Sequence, residues 1–121
     1  MTQANESPAT VAALPVVLGA LHDPIRLEMV RRLARADGPV RCVLLYDGIN
    51  KSTAAHHFKI LREAGVIERV VVAGQICQRL RAADLDTALP GLLSPILAAA
   101  DREHTPDRSG PPPTARPPAA E

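Results

Sequence analysis

The stretch Lys51-Ser-Thr-Ala-Ala-His-His-Phe-Lys-Ile-Leu-Arg-Glu-Ala-Gly65 decides how this chain of 121 residues folds. Ala54, Phe58 and Leu61 recur at i, i+4 and i+7, which predicts a helix with one buried apolar face. Asn50 can cap the start of the helix, and Gly65 can end it in a left-handed conformation. The opposite face offers cations for phosphates and short groups for the base edges of DNA, at Lys51, Ser52, Ala55, His56, Lys59 and Arg62.

The segments before this helix predict three further helices. Leu14–Leu21 is a short apolar helix with a proline in its first turn. Asp23-Pro24 supplies a cap and a first helical residue for a second helix, which Gly38-Pro39 stops. Residues 41–46 have room for a helix of only one to two turns. Together with the 51–65 helix, this short helix predicts a helix-turn-helix.

The chain changes character after Gly65. Residues 66–72 are rich in β-branched side chains, Ala73-Gly74 can turn the chain, and residues 75–80 alternate between polar and apolar. This pattern predicts a β-hairpin directly behind the 51–65 helix, which is the order of a winged helix-turn-helix. The hairpin arginines, Arg69 and Arg79, could reach phosphates beside the groove.

The predicted fold is mainly α with a small β-hairpin, a winged helix-turn-helix. Residues 84–89 are predicted to be helical, and residues 92–100 form a very apolar last segment. That segment exposes more Leu and Ile than so small a monomer can cover, so we expect a homodimer through the first and last helices. We predict a disordered lead at residues 1–8, one domain at residues 9–101 and a disordered Pro-rich tail at residues 102–121.

Composition and charge limit the possible partners. Residues 24–81 contain eleven Lys and Arg but five Asp and Glu, a local surplus of six positive charges within a chain whose net charge is +1. Such a surplus suits a polyanionic partner, although it is also compatible with an ordinary solvated surface. Cys42 and Cys77 do not have metal-finger spacing. With neither a signal peptide nor a membrane-length apolar run, we expect a cytoplasmic protein without a membrane partner.

Three segments together resemble the ArsR/SmtB family of bacterial winged-helix repressors. They are Ala20-Leu-His-Asp-Pro-Ile-Arg-Leu27, the 51–67 segment, and the wing ending in Arg79-Leu-Arg81. Residues 83–93 resemble a subset common in actinobacteria, and the whole resemblance covers roughly residues 14–100. It implies a homodimer that places two recognition helices in successive major grooves of a palindromic operator, in double-stranded DNA. Ala55 departs from the serine usual in the family, and its methyl group can pack only on an apolar group such as the thymine methyl.

Many members of that family release DNA when they bind a metal ion. The Cys-x-Cys version of the site is incomplete here, because Val40-Arg-Cys-Val-Leu-Leu45 has only Cys42. A version on the last helix is suggested by Asp101, Glu103 and His104, with His22 as a further candidate, and these are ligand types for nickel or zinc. Isolated residues of these types are usually ordinary surface residues, which is the alternative explanation for all four.

Two alternatives to a metal-responsive regulator stay open at this point. The chain could be a metal-independent regulator that works with a partner protein, or a winged-helix module that mainly binds another protein. An enzyme is not supported, because the sequence has no Gly-rich phosphate loop and no plausible nucleophile–base pair. His57 flanks the apolar stripe, and we expect it to be a packed, hydrogen-bonded histidine rather than a DNA contact.

Overall fold

The structure, a computed structural model, describes residues 10–109. The described part consists of helices and a small antiparallel sheet in the predicted winged helix-turn-helix order. The elements are α1 (Leu14–Leu21), α2 (Pro24–Ala36), β1 (Val40–Arg41), a 3₁₀ helix (Cys42–Leu45), α3 (Lys51–Glu63), β2 (Ile67–Val72), β3 (Gln75–Leu80), α4 (Ala82–Ala88) and α5 (Leu93–Ser109).

Local sequence signals set the boundaries of the first two helices. The ring of Pro15 stands in the first turn of α1, where its missing N–H costs no helical hydrogen bond. Asp23 caps α2, and its Oδ2 accepts hydrogen bonds from the N–H groups of Ile25 and Arg26 at 2.9 and 3.0 Å. At the other end Asp37 adopts a left-handed conformation and ends the helix. These bounds confirm the predicted ones.

The sheet has the strand order β1-β3-β2, with both pairings antiparallel. The hairpin of β2 and β3 was predicted, and it turns through Ala73 and Gly74, which both have positive φ, 51° and 78°. Two successive left-handed residues are typical of the tight turns whose twist matches that of the strands. The third strand, β1, was not predicted. It pairs Val40 with Gln78 and ties the chain before the 3₁₀ helix to the wing.

The core lies where α1, α2, α3 and α4 meet the base of β2. Its largest fully buried side chains are aliphatic, as expected for a chain with one Tyr and one Phe: Met29, Leu33, Leu45, Leu61, Ile67 and Leu85. Half-buried residues of α5, among them Leu93, Ile96 and Leu97, pack against this core from one side. Within residues 10–109 the structure has no helix that is long and apolar enough to cross a membrane.

The end of the domain differs from the prediction. We expected disorder from residue 102 onward, but α5 continues to Ser109. The helix is favoured because Arg102 and Glu103 have high helix propensity and because Asp101 is anchored by a salt bridge to Arg31 of α2, at 3.3 Å. The predicted lead at residues 1–8 and the remainder of the tail, residues 110–121, lie outside the described residues.

Candidate nucleic-acid interface

Helix α3 is held at its start and along its buried face. Asn50 caps it, with Oδ1 accepting a hydrogen bond from the Thr53 N–H at 2.8 Å. The predicted apolar stripe is confirmed, since Ala54, Phe58 and Leu61 are 1%, 4% and 0% exposed. The Phe58 ring meets the Tyr46 ring edge to face, with 6.2 Å between their centroids. These contacts fix which face of α3 points outward.

The C-terminal end of α3 is clamped by the segment that precedes α1. Gly65 has a φ of 80°, and the backbone of Thr10 and Val11 passes directly over its Cα. The N–H of Ala12 donates a hydrogen bond to the carbonyl of Ala64 at 3.0 Å. The left-handed end that was predicted from Gly65 is present, and the close passage of the N-terminal segment gives a second reason for glycine there.

The outward face of α3 gathers the predicted contact residues. Exposed side chains follow one another along it over a little more than two turns: Lys51, Ser52, Ala55, His56 and Lys59. Lys59 lies 4.0 Å from Glu63, and both side chains are about two-thirds exposed, 65% and 66%. A long contact between exposed groups contributes little and breaks readily. Lys59 is therefore free to turn toward an anion.

The cations near the wing differ in their surroundings. Arg62 is half-buried, and burial together with the positive charge of Arg69 lowers its pKa. Arg79 lies opposite Glu68 in the register of the hairpin and donates two hydrogen bonds to it, at 2.9 and 2.6 Å. Arg79 is thus partly neutralised, whereas Arg69 has no ion pair with any residue in the described range. The sequence pattern correctly predicted that both arginines lie in the hairpin. It did not predict the pairing of Arg79 with Glu68, because that pairing depends on the register of the two strands.

His57 is a packed residue, as predicted. Its Nδ1 lies 3.1 Å from Nη1 of Arg26, and Nε of the same arginine donates to the carbonyl of Ala20 at 2.7 Å. Because a guanidinium can only donate, His57 must accept through an unprotonated Nδ1. Arg26 therefore links the end of α1 to α2 and α3. We did not single it out from the sequence, since its role arises only when three helices meet.

The candidate metal ligands do not come together within the chain. Asp101 is paired with Arg31, which also donates to Glu28 at 2.8 Å. Glu103 and His104 border a shallow pocket beside the same arginine. Among the described residues no three His, Cys, Asp or Glu side chains form a group able to hold a metal ion. Arg31 donates to both Glu28 and Asp101 and balances their charge, so the described residues here do not fit a nickel or zinc site.

Comparison with known proteins rests on solved structures, because no protein-family model and no curated protein matches the sequence. An ArsR-like transcriptional regulator from Rhodococcus sp. RHA1 is 28% identical, has a TM-score of 0.55, and the match covers 76% of this chain and 86% of that one. An ArsR family transcriptional regulator is 19% identical with a TM-score of 0.52, over 79% and 97% of the two chains. The cadmium metal-sensor CMTR from Mycobacterium tuberculosis is 26% identical with a TM-score of 0.49, over 67% and 84%.

These similarities agree with the winged helix-turn-helix order of the helices and strands described above. The Rhodococcus regulator is matched over most of its length, so the similarity includes the helix-turn-helix together with the wing. The second regulator supports the same fold. Both proteins are described as transcriptional regulators. The chain is therefore similar in sequence and fold to an ArsR-like winged-helix transcriptional regulator, in agreement with its resemblance to the ArsR/SmtB family.

Proposed function

We propose that this regulator binds double-stranded DNA by inserting the exposed face of α3 into the major groove. The observation that supports this most is the division of α3 into a buried apolar stripe and an outward face with Lys51, His56 and Lys59. A helix fits the major groove, where short polar and cationic side chains can reach base edges and phosphates. Ser52 can hydrogen-bond to a base, whereas Ala55 offers only a methyl group for apolar contact.

The wing and the end of α3 would contact the DNA backbone. Arg69 is exposed on β2 and has no described ion-pair partner, so it is the first choice for a phosphate contact. Arg79 would have to exchange Glu68 for a phosphate, which weakens its net contribution. Arg62 is half-buried beside Arg69 and gains from any anion that enters between them. Contacts of this kind position the protein without reading the sequence.

We further propose that two copies associate through α1 and α5 to read a palindromic operator. Helix α1 consists almost entirely of apolar residues, and several of them face outward. The exposed fractions of Leu14, Val16 and Leu18 are 42%, 52% and 42%. Helix α5 adds half-buried leucine and isoleucine side chains. Apolar surface on the outside of a small domain is commonly covered by a partner, and a second copy covers it with twofold symmetry. Sedimentation equilibrium of Leu18→Glu against wild type tests this: the wild type should be dimeric and the variant monomeric, while equal masses would contradict it.

Regulation by a metal ion finds less support than DNA binding does. The acidic and histidine side chains of α5 do not gather into a ligand set within one chain, and Asp101 is paired with an arginine. We therefore favour a regulator whose DNA binding does not depend on nickel or zinc and whose signal comes from another ligand or a partner protein.

A protein-binding module is the second candidate function. The 3₁₀ helix and the wing expose apolar side chains that the core does not use, with Val43 57%, Leu44 60% and Val71 69% exposed. Such residues suit a protein partner better than a polyanion. On this alternative α3 would be an ordinary solvated helix.

Fluorescence anisotropy with labelled DNA from upstream of the protein's own coding sequence separates the two. The double variant Lys51→Glu/His56→Glu should bind at least about 100-fold more weakly, since it places anions next to phosphates. Arg35→Glu is the control for charge, because Arg35 is exposed on α2 and has no ion pair within the described part of the chain. Unchanged affinity of the double variant would contradict the proposed use of α3 and favour the protein-binding alternative.

A further inference from the structure

A pocket of about 270 Å³ lies between α3, the 3₁₀ helix and the hairpin, and we call it the α3–wing pocket. Most of its lining is apolar, with Phe58 and Ala54 from α3, Tyr46 after the 3₁₀ helix and Ile76 from β3. The volume is slightly below the range of about 300–1,000 Å³ typical of sites for drug-sized ligands. It suits a smaller molecule with a flat or aliphatic body.

Three cations line the same pocket. They are Lys51 at the start of α3, Arg62 near its end and Arg69 on β2. None of the three has an ion pair with a residue in the described range, in contrast to Arg31, Arg32, Arg79 and Arg81. Burial and the charge of Arg69 lower the pKa of Arg62, and Glu63 offsets only part of this. A negative group between Arg62 and Arg69 would relieve their repulsion.

A buried acceptor completes the polar part of the pocket. Gln78 is 2% exposed, lines the pocket, and lies opposite Arg69 in the register, so both side chains share one face of the hairpin. Its Nε2 lies 3.6 Å from Sγ of Cys42, but its Oε1 has no hydrogen-bond partner among the described residues. A buried acceptor without a donor is costly, and such atoms in native proteins usually meet a partner.

We propose that the α3–wing pocket binds a small organic anion that also has a hydroxyl or N–H donor. Its carboxylate would lie between Arg62 and Arg69, and its body would pack on Phe58 and Ile76. Its donor would satisfy Oε1 of Gln78. The phosphodiester of DNA supplies the negative charge but has no donor for Gln78, so the pocket chemistry is not that of the DNA backbone alone.

The position of the pocket gives such a ligand a regulatory role, and this consequence rests on the proposed DNA binding. Arg62 and Arg69 are also candidate phosphate contacts, so a carboxylate that pairs with them competes directly with DNA. A body inserted between α3 and the hairpin would also change how the wing sits beside the recognition helix. The bound anion is therefore expected to weaken operator binding.

Titration calorimetry of the full chain without DNA tests the pocket, with 3-hydroxybenzoate and benzoate as a matched pair of probes. We expect 3-hydroxybenzoate to bind about tenfold more tightly, which is the usual effect of one net hydrogen bond. Arg62→Gln should weaken both acids about tenfold. Arg35→Gln, which removes an equal charge outside the pocket, should leave both affinities unchanged.

Gln78→Leu should remove the preference for the hydroxyl while it preserves the binding of benzoate. Its circular dichroism and thermal unfolding are measured first, and if it does not fold, the probe pair and Arg62→Gln alone decide. Equal affinities of the two acids for the wild type would overturn the proposal. So would unaltered binding to Arg62→Gln, which would assign the acids to another surface, or no binding at millimolar concentration.

The competition experiment follows on the same samples. Saturating 3-hydroxybenzoate should lower the affinity for operator DNA about tenfold or more, and benzoate should do so only at higher concentration. If the protein does not bind operator DNA even without the probe, while the probe still binds, the proposed function is contradicted and the pocket stays established. Operator affinity that does not change when the pocket is filled would overturn the regulatory role.

Discussion

Gly65 connects the recognition helix to the wing, and an alanine there should destabilise the protein far more than a typical surface change. Its φ of 80° is one that residues with a Cβ rarely adopt. An added Cβ would lie 2.6 Å from the carbonyl oxygen of Thr10 and 2.7 Å from Cα of Val11. Both contacts are to backbone, so neither can be relieved by rotating a side chain.

The cost of Gly65→Ala has three parts. The left-handed conformation costs an alanine about 1 kcal/mol. Moving the 10–12 segment away breaks the hydrogen bond from the Ala12 N–H to the Ala64 carbonyl, about 1 kcal/mol. The same movement exposes part of Val11 and Ala12, which pack against the core, for about another 1 kcal/mol. We therefore expect a loss of about 3 kcal/mol in the free energy of unfolding.

Urea unfolding followed by circular dichroism measures this loss, with protein concentration held fixed because a dimer links stability to concentration. Gly74→Ala is the matched control, since its φ of 78° is nearly the same but no atom lies within 4 Å of the added Cβ. It should cost only about 1 kcal/mol, from the backbone conformation alone. If the two variants lose the same stability within about 0.5 kcal/mol, the packing of the N-terminal segment on Gly65 is refuted.

Three further outcomes follow from the same contacts. Ala73 holds a φ of 51° in the hairpin turn, so Ala73→Asn should raise the free energy of unfolding by about 0.5–1 kcal/mol in urea, and a loss would contradict the turn geometry. Hydrogen bonds from Arg31 lower the pKa of Glu28 from 4.5 to about 2, so its stabilisation is complete above pH 4.5 and is lost as the pH falls toward 2. Glu28→Gln should therefore cost about 2 kcal/mol at pH 7 and progressively less in that acidic window, whereas a cost independent of pH would contradict the pairing. Calorimetry with zinc and nickel should give no dissociation constant tighter than about micromolar, and a nanomolar site abolished by Asp101→Ala would show that these donors meet after all.

Much of the fold could be predicted because its signals are local. The stripe of Ala54, Phe58 and Leu61, the caps at Asp23 and Asn50, and the Ala73-Gly74 turn each specify their own element. Strand β1 could not be predicted, because two residues have no periodicity and become a strand only by pairing with β3. The C-terminal end of α5 was not predicted. The Pro-rich composition of the tail indicated disorder from residue 102, but the helix continues to Ser109.

The candidate site could be predicted only in part. Helical phase placed Lys51, His56 and Lys59 on an outward face, since that follows from the buried stripe alone. The partners of the remaining charges depend on tertiary contacts, as Arg79 with Glu68 and Arg31 with Asp101 illustrate. Their use in DNA binding stays a prediction.

The salt dependence of operator binding tests the central claim most directly. Lys51, Lys59 and Arg69 are exposed on each chain, so a dimer offers about six phosphate contacts and the slope of log K against log salt should be about −5. Lys59→Gln, which removes one contact from each chain, should make that slope less steep by about 2. An affinity that stays constant between about 50 and 200 mM salt, for the wild type as for Lys59→Gln, would contradict DNA binding through the outward face of α3.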